Sequence, residues 1–196
     1  MQLGKVPVFL GLVAGAAVTA AIFGAIHHQM SYSVGPSFFT ALYLPASGVP
    51  ADTAPRLAAA LAGAQAAWGI GILAALPALI LGFIMVPKPR TYMAAGIGAI
   101  GVGVFLALLA SLLGLLAGIA ADTTGLIDGW LSFPDGPARS DFLRAGFMHD
   151  GAVVGALIAA LAGLWPMTRA RKIDIAMIDA DLARKRAARE KDKDES

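Results

Sequence analysis

The chain has three histidines, and all of them lie at the ends of long apolar segments. His27 and His28 end the first segment and His149 begins the last, so hydropathy predicts that the three rings lie at one level of a membrane protein. Near neutral pH an imidazole can bind a metal, move a proton or form hydrogen bonds. Ionisable groups are costly at membrane depth and often mark a functional site. With their polar neighbours they form a candidate ligand-binding or structural cluster: His27, His28, Gln29, Tyr32, Arg144, His149 and Asp150.

Four interpretations of this cluster stay open from the sequence. The first interpretation is a set of structural hydrogen bonds in which Arg144 neutralises Asp150, and the second is a substrate or quinone-like pocket on the outer side. The third is a metal site formed by His27 or His28 with His149 and Asp150. The fourth is a haem site held by His27 or His28 and His149. The ligand types suit a metal, but no HExxH-like local spacing supports one. We therefore expect no cofactor, with haem or a metal at the outer rim as the minor alternative.

Four apolar segments must position these groups. Each approaches or exceeds the roughly 20 residues that a membrane-spanning helix needs. The chain is 58% hydrophobic and only 14% charged, whereas a soluble domain has about 25% charged residues. The sequence therefore predicts an all-α integral membrane four-helix bundle in residues 1–168. The predicted spans are about 6–26, 66–86, 92–120 and 149–167.

The distribution of lysine and arginine predicts the orientation, because these residues accumulate on the cytoplasmic side of membrane proteins. With both termini inside, only Arg56, Arg139 and Arg144 of the 15 basic residues lie on the outer side. We therefore predict that both termini are cytoplasmic. The first outer loop is predicted to carry a short interfacial helix at residues 37–44. Residues 169–196 form a charged cytoplasmic tail that we expect to be helical near the membrane.

Glycines at four-residue spacing are candidate helix-packing positions, because small residues let membrane helices approach closely. They serve either as a surface for other subunits or as packing within one bundle. Four spans supply little internal core, so we expect contacts with other membrane subunits or self-association, in addition to the lipid bilayer. No basic face is interleaved with exposed aromatics, so nucleic acid is not an expected partner. The packing positions are Gly11, Gly15, Gly96, Gly114 and Gly118.

No catalytic motif stands out. The segment 96–101 spells G-x-G-x-x-G, but it lies inside a predicted span and not between a strand and a helix. The interiors of the spans carry no lysine, arginine, aspartate or glutamate, which argues against a proton pump. The chain also has no cysteine, which excludes disulfides and thiolate metal sites. We expect a non-enzymatic protein.

The stretch that follows the first span, residues 27–39, resembles a pattern of uncharacterised bacterial multi-span membrane proteins. There the pattern reads H-x-Q-x-[ST]-Y-[ST]-V-x-P-x-[FY]-F directly after the first transmembrane helix. The resemblance implies only that this motif is a family trait, and it assigns no activity. We separately expect the chain to lie in a bacterial inner membrane. The matching positions are His27, Gln29, Tyr32, Pro36 and Phe39, with Arg144 and residues 148–150 as a second patch.

Two functional hypotheses follow. The first is an accessory or stabilising subunit of a larger bacterial inner-membrane complex. The alternative is a small transporter or ligand-binding membrane protein with a polar His/Asp/Arg site at the outer boundary. A transport path needs polar lining, and apart from Thr19 and Ser111 the spans offer almost none. The sequence therefore favours the subunit.

Overall fold

The computed structural model describes residues 4–127, 129 and 137–194, which form helices and turns without a strand. Four helices are long and apolar enough to cross a membrane, and this confirms the predicted all-α, multi-pass membrane protein. The last two residues of the predicted tail lie outside the described residues. In chain order the elements are α1 (Lys5–Val34), α2 (Pro36–Phe38), a π-helical turn (Phe39–Tyr43), α3 (Leu44–Ser47), α4 (Pro55–Met85), α5 (Pro89–Thr124), α6 (Pro137–Ala162) and α7 (Leu164–Asp194).

The helices run beyond the apolar segments that nucleate them. α1 continues to Val34, so the histidine pair lies inside a helix instead of at its end. α4 and α5 both start with a proline, whose missing N–H costs nothing in the first turn. α5 ends at Thr124 and is capped by Gly125, whose φ of 63° suits a residue without a side chain. The polar residues near the ends of the spans are therefore held by regular helix and have fixed directions.

The bundle is built from two closely packed helix pairs, α1 with α4 and α5 with α6. In the first pair, a methyl group built on Gly24 or Gly63 would collide with the backbone of the other glycine. In the second pair, Gly114 and Gly118 lie against the backbone of α6 at Phe147 and Leu143. Backbone-to-backbone contact of this kind is how helices associate in lipid. The glycines therefore set the separation of the helices within each pair.

The remaining predicted packing glycines behave differently from these. Gly96 faces the side chain of Leu12 on α1, so it lies at a contact between the two pairs. A methyl group built on Gly11 or Gly15 would meet no atom within 4 Å. These two glycines instead line a groove of about 370 Å³ on the surface of the bundle, between α1 and α5. Their face of α1 is thus open in the single chain.

The two pairs are joined mainly at the end of the bundle that holds the chain termini, here named the terminal end. A core of buried apolar side chains closes this end, with Leu79, Tyr92 and Met167 fully buried. The Tyr92 hydroxyl donates to the Leu79 carbonyl at 2.9 Å. Asp174 of α7 is also fully buried here. It accepts hydrogen bonds from the Lys88 amide at 2.8 Å and from the Thr91 hydroxyl at 2.7 Å, so it fixes the base of α7 to the start of α5.

The opposite end, here named the histidine end, is covered by the segment between α1 and α4. The predicted helical stretch at residues 37–44 does fold as α2, the π-helical turn and the start of α3. Phe38 and Phe39 of this segment are buried. The Ser37 amide donates to an Asp141 carboxylate oxygen at 3.0 Å, which anchors this cover to α6. The cover places aromatic rings directly over the histidines.

Candidate functional site

The three histidines, which hydropathy placed at one level, lie together at the histidine end. The rings of His28 and His149 have centroids 5.4 Å apart, and those of His27 and His28 are 5.9 Å apart. His27 and His28 are each only 3% exposed. α1 and α6 therefore bring their imidazoles into one group at the histidine end, in which His27 and His28 are buried and His149 is half-buried.

Two of the rings are held by hydrogen bonds to neighbouring helices. His27 Nε2 lies 2.8 Å from the Ser111 hydroxyl of α5, and His28 Nδ1 lies 3.1 Å from the Ala59 carbonyl of α4. A carbonyl only accepts, so His28 Nδ1 must carry a proton and donate it. In the uncharged ring, Nε2 of His28 is then a hydrogen-bond acceptor. Each ring of α1 is thus oriented by a different helix.

Aromatic rings of the cover surround the histidines. The ring of Tyr43 lies edge-on to His28 and His149, with centroid distances of 4.8 and 4.9 Å. Phe39 lies 5.2 Å from His28, and Phe38 lies 5.9 Å from His149. Burial raises the pKa of the Tyr43 phenol, because the charged phenolate is poorly solvated there. The histidine group is therefore shielded on the outside by a neutral aromatic layer.

An elongated cavity of about 120 Å³ runs from the histidines toward the terminal end, between the two helix pairs. All three histidines line it, and most of the other lining residues are alanine or glycine. Along α1 the lining extends from Ala16 to His27, eleven helical steps. At about 1.5 Å per residue the cavity is therefore about 17 Å long on that side. The cavity reaches the surface of the bundle beside α4, where the lining residues Ala66 and Ile70 are exposed. It is an apolar slot with one polar end.

The other predicted cluster residues do not line this cavity. Gln29 donates to the Arg56 carbonyl at 2.5 Å, and the Tyr32 ring lies under the Arg56 guanidinium, 5.3 Å from it. Asp150 is exposed. These residues tie the end of α1 to the start of α4 or face outward, so the structure brings together only the histidines of the predicted set.

The predicted pairing of Arg144 with Asp150 is wrong. Arg144 donates instead to Asp122 at the end of α5, from Nε at 3.1 Å and from Nη2 at 2.8 Å. The same carboxylate accepts from Arg139 at 3.1 Å and from Ser140 at 2.9 Å. The reason is that α6 begins at residue 137, so Arg144 and Asp150 lie six residues apart on one continuous helix, on different faces. Asp122 instead stands opposite Arg144 in the α5–α6 pair.

Among the described residues, no group of three or more histidine, aspartate or glutamate side chains is arranged to hold a metal ion. The volume also bears on the haem interpretation, because cofactor pockets typically measure about 300–1,000 Å³. A cavity of about 120 Å³ is well below that range. The arrangement suits a slender chain or a single ring better than a large cofactor.

Several residues that shape the site escaped the sequence analysis. Ser111 is fully buried beside His27, and its only signal was that it is one of two hydroxyl side chains deep in the spans. Tyr43 lies in a loop whose approach to the histidines depends on the tertiary fold. Ser31, one turn beyond His27 on α1, is 0% exposed, and its hydroxyl has no hydrogen-bond partner among the described residues. Nothing in the sequence distinguishes this serine from a surface one.

Comparisons of the chain with protein-family models, curated proteins and solved structures found no match.

Proposed function

We propose that this protein binds a slender, membrane-dissolved ligand, whose apolar body lies in the central slot and whose polar end meets the histidines. The observation that carries the proposal is the slot itself, lined by alanine and glycine over most of its length and ended by three imidazoles. This is the ligand-binding alternative of the two functional hypotheses, placed deeper in the bundle than the outer boundary.

The chemistry of the slot supports an apolar ligand. Engineered apolar cavities of about 150 Å³ stay dry and take up benzene or xenon, and this slot is of similar volume, about 120 Å³. Large side chains such as Leu73, Leu157 and Leu161 point away from the bundle and are exposed. The interior is thus spacious because small residues line it, and a hydrocarbon chain or ring would gain contacts there.

The surroundings of the slot suit a ligand that comes from the bilayer. At the terminal end the slot meets a buried apolar core. Thr19 and Ile100 line both the slot and the surface groove between α1 and α5, so the two spaces adjoin. The opening beside Ala66 and Ile70 faces the lipid side of α4, which suits a ligand that arrives through the bilayer.

The orientation proposed from the basic residues decides which side of the membrane the histidine end of the slot faces. If both termini are cytoplasmic, the histidine end is the outer end, and the polar end of the ligand lies close to the outer surface of a bacterial inner membrane. Labelling of single cysteines introduced at residue 88 and at residue 48 would test this orientation, because the natural chain has no cysteine.

A photoaffinity experiment tests the proposed binding. An octyl alcohol that carries a diazirine near its chain end is added to the full-length protein in lipid nanodiscs, and cross-linked peptides are identified by mass spectrometry. We expect labelling of slot residues such as Phe23 and Val153, and loss of that labelling when Ala156 in the slot is replaced by leucine. The control Ala117→Leu changes an exposed alanine of α5 and should label normally. Labelling confined to exposed residues in all three proteins would contradict the proposal.

A second candidate function, the accessory subunit, is favoured by one observation. Gly11 and Gly15 face open space, and the groove they line also contains Met93 and Ile97. The occupant we propose is a transmembrane helix of another chain, because small residues at four-residue spacing admit one. The variant Gly15→Leu should release any stoichiometric membrane subunit that co-purifies with the wild type in mild detergent. Purification of the wild type without such a subunit would contradict this candidate.

A further inference from the structure

We propose that the polar end of the slot selects a ligand with a hydroxyl group, which donates one hydrogen bond to His28 and accepts another from His149. This inference rests on the proposed ligand binding and specifies its chemistry. The ligand class is an uncharged apolar molecule that ends in an alcohol or a phenol, as opposed to a ketone, a quinone, an ether or a carboxylate.

The tautomer of His28 decides what its free ring nitrogen can bond. Its Nδ1 donates to the Ala59 carbonyl at 3.1 Å, so the proton of the uncharged ring is on Nδ1. Burial between apolar helices favours the uncharged ring, because an isolated charge is expensive there. Nε2 is then the nitrogen left for a ligand, and it can only accept. A ligand group that itself only accepts would face this lone pair without a hydrogen bond.

His149 carries the complementary group. No hydrogen bond joins its ring nitrogens to a described residue, and because neither nitrogen is among the fully buried unpartnered atoms, both remain accessible. An uncharged imidazole has one N–H donor and one acceptor nitrogen. His149 can therefore donate a hydrogen bond to the ligand's hydroxyl oxygen, while the hydroxyl hydrogen is donated to Nε2 of His28. Two nitrogens that bond the same oxygen lie at most about 6 Å apart, and ring centroids 5.4 Å apart are compatible with that limit.

The polar end of the slot has hydrogen-bonding groups that the protein does not itself satisfy. Nε2 of His28 and the ring nitrogens of His149 have no hydrogen bond to a described residue, and the buried hydroxyl of Ser31, which does not line the slot, also lacks a partner among the residues that the structure describes. A buried polar group without a partner is unfavourable, because it has lost its hydrogen bonds to water. By contrast, His27 is already bonded to Ser111 and is not needed for the ligand. A hydroxyl group supplies both the donor and the acceptor that the free positions require.

The test compares ligands that differ only in the hydroxyl proton. In nanodiscs that contain the wild-type protein and the diazirine octyl alcohol, unlabelled octanol competes against octyl methyl ether at equal concentration in the bilayer. We expect octanol to compete at least tenfold better. A second comparison uses ethylphenol and its methyl ether as competitors. If the phenol competes more strongly than octanol and shows the larger preference over its ether, the ligand is phenolic; the reverse result indicates an aliphatic alcohol.

Variants separate this inference from the proposed function. His28→Phe keeps a ring in place but removes the acceptor, so the preference for octanol over its ether should fall to about twofold or less. Gln29→Ala is the matched control, because the neighbouring side chain bonds α4 and does not line the slot, and it should keep the full preference. Equal competition by alcohol and ether in the wild type would overturn the hydroxyl inference while slot binding stands. If His28→Phe does not fold, this wild-type comparison still decides, and absence of any slot labelling overturns the proposed function itself.

Discussion

Filling the slot should make the protein more stable, which is the opposite of what most interior substitutions do. Ala156 of α6 lines the slot and is only half-buried, so a longer side chain at this position has space to occupy. Empty cavity volume costs about 24 cal/mol per Å³ in well-studied cores. For a slot of about 120 Å³ this amounts to about 3 kcal/mol.

A leucine fills only part of that volume, so we expect Ala156→Leu to raise the free energy of unfolding by about 1 kcal/mol. The same substitution at a position without space would lower it by about 1–3 kcal/mol through overpacking. The sign of the change therefore reports whether the space exists. The control Ala117→Leu lies on the exposed surface of α5 and should change stability by less than about 0.5 kcal/mol.

Unfolding in mixed micelles of increasing SDS content, followed by circular dichroism, measures these differences. Ligand binding by the wild type must be considered, because a ligand that stays bound during purification also stabilises the folded state. Delipidated protein removes that contribution. A loss of stability greater than 1 kcal/mol in Ala156→Leu, with Ala117→Leu unchanged, would refute the argument that the slot is open space.

Three further predictions concern the supports of the slot. Asp174→Asn should lower the free energy of unfolding by about 2 kcal/mol, because the asparagine side chain has one acceptor oxygen for the two hydrogen bonds from the start of α5. The control Asp179→Asn, on the exposed part of the same helix, should have no effect in the same SDS unfolding assay. Gly63→Ala should cost about 1–3 kcal/mol through collision with the backbone of α1, whereas Gly69→Ala, with open space around it, should be neutral or better. Burial raises the pKa of Tyr43, so the difference in absorbance titration between the wild type and Tyr43→Phe should show this phenol ionising above the usual value of about 10. Stability should fall as the pH rises from that value toward the raised pKa, and a difference curve centred at the usual value would contradict this.

The sequence was sufficient for the membrane architecture because burial in hydrocarbon depends on composition and length. Four apolar segments predict four helices whatever their neighbours are, and the structure has them. The level of the histidines followed from the same counting. Their mutual contact did not, because nothing local states that α1 and α6 present the imidazoles to a common centre.

The slot could not be predicted from the sequence, because alanine and glycine in a span are equally compatible with close helix packing and with a cavity between helices. At Gly24 and Gly114 small residues bring backbones into contact, whereas at Ala74 and Ala156 they leave a gap. The difference lies in which side of each helix faces its own partner and which faces the other pair. The error in pairing Arg144 has a similar origin, because its true partner, Asp122, lies on another helix and approaches only after the α5–α6 pair has formed.

Most residues in the walls of the slot are alanine or glycine, and this has a consequence for recognition. Alanine and glycine lose no rotamer entropy when a guest arrives, so the lining is as ordered before binding as after it. Such a receptor can widen by side-chain movement only at a few positions, such as Phe23 and Val153. Its tolerance for branched or bulky molecules is then set by rigid displacement of whole helices, and thin guests enter with little reorganisation.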